Sequence, residues 1–228
     1  MKDLIIIYTG SCGSGKTELA INQSLKLFHK AQEVFIVDLD IINPYFRSRE
    51  KREELGKIGI KVIAPPGKFA MADLPIIPPE IKGLMQKSNR VLIVDVGGDE
   101  TGARSLAGFY PVLKDVEYQM NVIINPFRPF TKNNKDIQVM IRGIELSSRL
   151  KVNGLISNPN LGSDTDLSMI INGHRIVKKV SEEIHLPIRY LAIESSIYHT
   201  IGNYQFAEPI FVIKRYMKLP WDKREEIK

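Results

Sequence analysis

Gly10-Ser11-Cys12-Gly13-Ser14-Gly15-Lys16-Thr17 governs how the rest of the chain is read. The stretch fits G-x-x-x-x-G-K-[ST], and each fixed position has a physical reason. Small residues let successive main-chain N–H groups close around a phosphate. Lys16 is long enough to reach the outer phosphates of a nucleotide, and the Thr17 hydroxyl is a ligand for Mg²⁺. A helix starting there points its positive end at the anion. The flanks agree. Leu4–Tyr8, before the loop, is a continuous apolar run of the kind found in a strand covered on both faces. Leu19, Ala20, Leu25 and Phe28, after it, give a helical pattern. Cys12 reads as a small packing residue, the other reading being a redox-sensitive thiol.

Outward from the loop the same alternation repeats. Apolar runs recur at Val34–Val37, Ile60–Ile63, Val91–Val94, Val122–Ile124, Val152–Ile156 and Ile188–Ile193. Between them, Ile137, Met140, Ile141 and Ile144 share a helical face, as do Leu167, Ile170, Val177, Val180 and Ile184. Strands alternating with helices imply βαβ units. The expected fold is α/β in three layers: a mostly parallel central sheet of about seven strands with helices on both faces, in a single domain over residues 1–228. The prolines at 65, 66, 75, 78 and 79 mark a surface loop before a helix near Ile81–Met85.

Composition narrows the class. The chain has 228 residues, 43% hydrophobic and 25% charged, which suits one globular domain with a sizeable core. No apolar run approaches the roughly 20 residues of a membrane-spanning helix. With a strand-like run at its start no signal peptide is expected, and one cysteine allows no internal disulfide, so a cytoplasmic setting is expected. The net charge of +6 reads as a solvated basic surface. The cluster Arg47–Arg52 is interleaved with glutamate and suits an exposed helix better than a stripe that tracks nucleic acid.

Two carboxylate clusters follow strand-like runs. Val34–Val37 leads into Asp38-Leu39-Asp40, and Val91–Val94 leads into Asp95-Val96-Gly97-Gly98. Acidic groups at the C-terminal ends of parallel strands stand at the crevice where such sheets bind ligands. Asp95 fits the position that holds Mg²⁺ through water, and Gly98 the position where a main-chain N–H meets a γ-phosphate. The bland alternative is that such aspartates cap turns or helices.

Taken together, Gly10–Thr17, Asp38-Leu39-Asp40 and Asp95-Val96-Gly97-Gly98 resemble the SIMIBI class of P-loop NTPases, and within it the MinD/ParA-like ATPases. The resemblance runs from the first strand to at least Asn158, and the last third matches only in general layout. It implies an ATPase that uses ATP and Mg²⁺. Gly10, Ser11, Cys12, Gly13, Ser14, Gly15, Lys16, Thr17, Glu18, Gly98 and Asn158 would meet the nucleotide. Thr17, Asp38 and Asp95 would serve the metal, and Lys16 and Asp40 the catalysis. Asp40 would orient or deprotonate the attacking water, and Asn158 would read the adenine base. It further implies a homodimer and an unidentified protein partner, membrane and nucleic acid being less favoured. One departure matters. Many of these proteins carry K-G-G-x-G-K-[ST], whose first lysine acts across the dimer, and here that position is Ser11. Arg47, Arg49 and Arg104 lie near the expected switch segments as other sources of positive charge.

Other chemistries are disfavoured. Asn133-Asn134-Lys135-Asp136 has the wrong order for guanine recognition and reads as a helix start, which favours ATP over GTP. One cysteine makes no iron–sulfur pair, and His29, His174, His185 and His199 are scattered without ligand spacing. Ile210–Leu219 reads as a C-terminal amphipathic helix packed on the domain, or as a membrane anchor. Two functions from different classes stay open: an ATP-driven switch, and an ATP-dependent small-molecule ligase of the dethiobiotin synthetase or cobyrinic acid synthase type. A DNA-partitioning module is the weaker third.

Overall fold

The computed structural model describes residues 4–31, 33–40, 48–64, 79–87, 89–98 and 100–217. Strand β1 is Leu4–Thr9, followed by α1 (Lys16–Phe28) and β2 (Glu33–Leu39). A 3₁₀ turn at Ser48–Lys51 leads into α2 (Arg52–Ile58) and β3 (Lys61–Ile63). Next come α3 (Pro79–Gln86), β4 (Arg90–Val96), α4 (Glu100–Ala107), α5 (Tyr110–Leu113), β5 (Gln119–Ile124) and α6 (Asn134–Ser148). The last part holds β6 (Gly154–Ser157), α7 (Leu167–Ile184), β7 (Ile188–Glu194), α8 (Ser195–Tyr198) and β8 (Ile210–Ile213).

The strands form one sheet of eight, ordered β3-β2-β4-β1-β5-β6-β7-β8. Every pairing is parallel. Early strands build outward from β1 on one side, and β5 onward builds on the other. Strand order therefore reverses at β1, and the crevice beyond its C-terminal end is where such sheets place ligands. The loop 10–15 occupies that end.

Parallel strands bury both faces, which explains the continuous apolar runs. Ile5, Ile7, Phe35, Val37, Leu92, Val94, Val122 and Ile124 face the core shared with α3 to α7. Ile6, Tyr8, Val34, Ile36, Val91 and Ile93 face α1, α2 and the segment 211–217. The helix expected near Ile81–Met85 is α3. Asn133 caps α6 by accepting the Asp136 N–H at 3.0 Å, so the Asn133–Asp136 stretch is a helix start.

One expectation is corrected. Residues 210–213 form an edge strand, not the start of an amphipathic helix. Ile210-Phe211-Val212-Ile213 is β-branched and aromatic, and its exposure alternates, with Val212 turned outward. Lysine and arginine at 214 and 215 gave the run a helical look, but pairing with β7 decides it. Arg47, the proline-marked loop at 65–78 and the tail beyond 217 lie outside the described residues. Among those described, no helix is long and apolar enough to cross a membrane.

Candidate functional site

The loop after β1 turns three times through left-handed backbone, at Gly10, Gly13 and Gly15. It is closed by main-chain bonds, Ser14 N–H to Ser11 O at 3.2 Å and Leu19 N–H to Gly15 O at 3.0 Å. Lys16 is buried and folds back over it, with Nζ donating to Gly10 O at 3.1 Å and to Ser11 O at 3.0 Å. An ammonium held on carbonyls at the loop's rim is a cation ready to be drawn onto a stronger anion.

Strand register brings the carboxylates to this loop. Asp95 lies opposite Tyr8 on one side and Asp38 on the other. Thr17 Oγ1 donates to Asp95 Oδ2 at 2.8 Å. Asp95 is fully buried, and its Oδ1 has no partner among the described residues. Burial first, then the neighbouring charge of Asp38, push the Asp95 carboxyl up to about 8, while Lys16 and the Thr17 bond pull the other way. Asp38 is also fully buried and is gripped by Arg49, with Nε to Oδ2 at 2.9 Å, Nη2 to Oδ1 at 3.1 Å and the Arg49 N–H to Oδ2 at 3.0 Å. Arg49 Nη2 also donates to Asp40 O at 2.9 Å, and the Asp40 N–H donates to Asp38 Oδ1 at 3.1 Å. Such a forked ion pair fixes the geometry of both side chains.

The Asp95-Val96-Gly97-Gly98 segment then passes between these groups. A β-carbon on Gly98 would stand 2.8 Å from the Cys12 amide nitrogen and 3.0 Å from Lys16 Nζ. A β-carbon on Gly97 would stand 3.1 Å from Asp40 Oδ1. The main chain at 97–98 thus touches both the phosphate loop and the first carboxylate cluster, and any side chain there would separate them.

Thr17 Oγ1 and the unpartnered Asp95 Oδ1 are a hydroxyl and a buried carboxylate set side by side, which fits a hard cation that takes few protein ligands and leaves the rest to phosphate and water. Among the described residues no group of three or more His, Cys, Asp or Glu could hold a metal ion. Asp38 fits only when Arg49 releases it.

Two expected nucleotide contacts sit differently. The Glu18 carboxylate turns to the C-terminal segment, accepting from the Tyr216 N–H at 2.9 Å and the Met217 N–H at 2.7 Å. Burial raises it to about 7 against the pull of those bonds. What Glu18 offers to the loop is main chain only. Asn158 braces the loop from below, its Nδ2 donating to Ser14 O at 2.7 Å, and its buried Oδ1 is without a described partner. Arg104 is exposed on α4. Ser11 is buried, and its hydroxyl has no partner among the described residues.

Sequence reasoning missed Arg128. Its Nε donates to Gly13 O at 3.1 Å from the turn after β5. The only signal was an arginine soon after a strand end, Asn125-Pro126-Phe127-Arg128, which no spacing rule singles out.

No family model matches the sequence, and no curated protein matches it. Solved structures do. Cell division protein FtsY of Thermotoga maritima aligns over 84% of this chain and 62% of its own, at 15% identity and a TM-score of 0.57. FtsY of Mycoplasma mycoides aligns over 84% and 60%, at 15% identity and 0.58. The signal recognition particle 54 kDa protein of Aeropyrum pernix, solved with GDP, aligns over 84% and 41%, at 15% identity and 0.55. The chain has a P-loop NTPase fold. It spans about 60% of the length of the two FtsY chains. At 15% identity the likeness is one of fold alone, and it does not reach the MinD/ParA-like subdivision.

Proposed function

We propose that this chain is an ATP-binding, ATP-hydrolysing switch of the MinD/ParA type, working with Mg²⁺ and acting on a partner through a homodimer. The observation that carries the reading is the seating of Gly97–Gly98 against both the phosphate loop and Asp40. A γ-phosphate entering beside Lys16 meets that main chain, so a triphosphate and a diphosphate place the segment differently. That difference in contact is what a switch needs. Lys16 and the loop amides hold the phosphates. Thr17 and Asp95 hold Mg²⁺, which neutralises charge on the outer phosphates. Asp40 is the group positioned for water.

Adenine is favoured over guanine by the end of β6. A guanine edge presents two donors that a carboxylate accepts together, and Asn158-Pro159-Asn160-Leu161 supplies amides. The nearest carboxylates downstream are used or exposed. Asp166 caps α7 by accepting the Met169 N–H at 2.8 Å, and Asp164 pairs with the Ser163 hydroxyl.

Two measurements test this. Calorimetry with Mg²⁺ and non-hydrolysable ATP or GTP analogues is expected to give tighter binding for the adenine nucleotide, and equal or tighter guanine binding overturns that choice. Light scattering on Asp40→Ala with Mg²⁺–ATP and then Mg²⁺–ADP is expected to give a dimer with ATP alone. The same mass in both states ends the gated-dimer reading and turns attention to the ligase.

A further inference from the structure

The seven residues after β5, Asn125–Thr131, form a turn held by its own side chains. Buried Asn125 donates through Nδ2 to Asn160 O at 2.7 Å, and its Oδ1 accepts from the Phe127 N–H at 3.1 Å and the Asn160 N–H at 3.4 Å. Thr131 Oγ1 donates to Asn125 O at 2.7 Å and to Arg128 O at 3.2 Å. The Arg128 N–H closes the turn on Asn125 O at 3.1 Å.

This frame delivers Arg128 to the phosphate loop. Besides the bond from Nε to Gly13 O, a β-carbon on Gly13 would lie 3.2 Å from Nε, 3.4 Å from Cδ and 3.6 Å from Cζ, so the guanidinium lies close against the glycine. Among the described residues no carboxylate pairs with Arg128, and its two terminal nitrogens make no hydrogen bond. Arg49, a second arginine among the described residues of the site, is spent on Asp38. A half-buried guanidinium whose terminal donors have no partner among the described residues, lying against a loop built for anions, is suited to bind one.

We propose that Arg128 is a phosphate-contacting residue supplied in cis, binding the terminal phosphates of the nucleoside triphosphate and giving the loop the second cation that Ser11 does not. This rests on the reading of Gly10–Thr17 as a nucleotide site. The same strand-end turn that keeps Arg128 rigid makes its charge part of the site before any partner arrives, so little ordering is needed on binding.

The test measures dissociation constants for Mg²⁺ with a non-hydrolysable ATP analogue and with ADP, in the full chain and in Arg128→Gln and Arg128→Lys, at low and high salt. Thermal unfolding without nucleotide checks the fold of each variant. Arg128→Gln is expected to weaken the triphosphate by on the order of tenfold or more and ADP by less. Arg128→Lys is expected to keep most of the affinity, and the gap between wild type and Arg128→Gln to narrow with salt. A purely structural bond to Gly13 O gives a different pattern: no salt dependence, and equal losses for triphosphate and diphosphate. That pattern, or unchanged affinity in Arg128→Gln, overturns the assignment while leaving the nucleotide site standing. Failure of the wild-type chain to bind either nucleotide overturns both.

Discussion

Two turns approach the phosphate site, one after β1 and one after β5, and they are built from different materials. The first is main chain. Its shape comes from three glycines in left-handed backbone and from bonds between backbone groups. The second is side chain. An asparagine amide and a threonine hydroxyl stitch Asn125–Thr131 together, and the left-handed position falls on Phe130 rather than on a glycine. The first turn can be written as a motif because only glycine tolerates its geometry. The second cannot, because asparagine and threonine brace turns of many shapes.

The contrast is broken most sharply at Gly10. Its φ is +135°, and a β-carbon there would lie 2.3 Å from Ile123 O, a main-chain atom of β5 that has no freedom to move aside. Gly10→Ala is expected to cost about 3 kcal/mol or more, because strain and a clash at the β1–β5 seam act together. Chemical denaturation measures it, and an unshifted midpoint would show that the loop is not constrained by its backbone. Asn125→Ala is the matching test of the other turn. It leaves the Asn160 carbonyl and the Phe127 and Asn160 N–H groups without their partner, which is expected to cost about 2–3 kcal/mol. It also frees Arg128, so triphosphate affinity should fall along with stability. A loss of stability with affinity intact separates the brace from the binding role.

The same division sets what was legible. Seven strands, the helices α1, α3, α6 and α7, and the placing of Lys16, Thr17, Asp38, Asp40, Asp95 and Gly98 around one loop follow from apolar runs and strand-end carboxylates. Each of those signals is local in sequence. Three features were hidden because they depend on distant partners. β8 needs β7 beside it to be a strand. The Glu18 carboxylate follows the loop by one residue, yet it is claimed by Tyr216 and Met217, nearly two hundred positions away. Arg128 meets Gly13 across 115 positions.

Asp95→Asn sharpens the comparison by reversing the sign. Asp38, Asp40 and Asp95 crowd one buried region, and Asp95 Oδ1 has no described partner. Its carboxyl, held up at about 8, keeps its proton in the folded protein at neutral pH while the unfolded chain releases it. That linkage favours folding below about pH 4 and fades as pH rises toward 8. An amide escapes this cost. Asp95→Asn is expected to stabilise the nucleotide-free protein by about 1–2 kcal/mol at neutral pH and to abolish Mg²⁺-dependent nucleotide binding. Thermal unfolding against pH reads the first effect and calorimetry the second. A destabilised variant would mean that the carboxylate holds the first turn through Thr17 and is not there for the ligand alone.

Phe130 gives the smallest effect and the finest cut. Its φ of +68° costs a residue with a β-carbon about 1–2 kcal/mol, and the ring, 80% exposed, returns little by burial. Glycine removes that strain but gives back roughly 0.5–1 kcal/mol in folding entropy. Phe130→Gly is therefore expected to stabilise the protein by about 0.5 kcal/mol, and Phe130→Ala, which keeps the β-carbon and loses only the ring, to leave stability near the wild-type value. Denaturation of the pair separates backbone from side chain at this one position. A Phe130→Gly variant less stable than Phe130→Ala by roughly 0.5–1 kcal/mol means that the left-handed backbone is not strained. A loss in both means that the ring packs more than its exposure indicates, and the second turn would then be held by apolar contact as well as by its amide and hydroxyl.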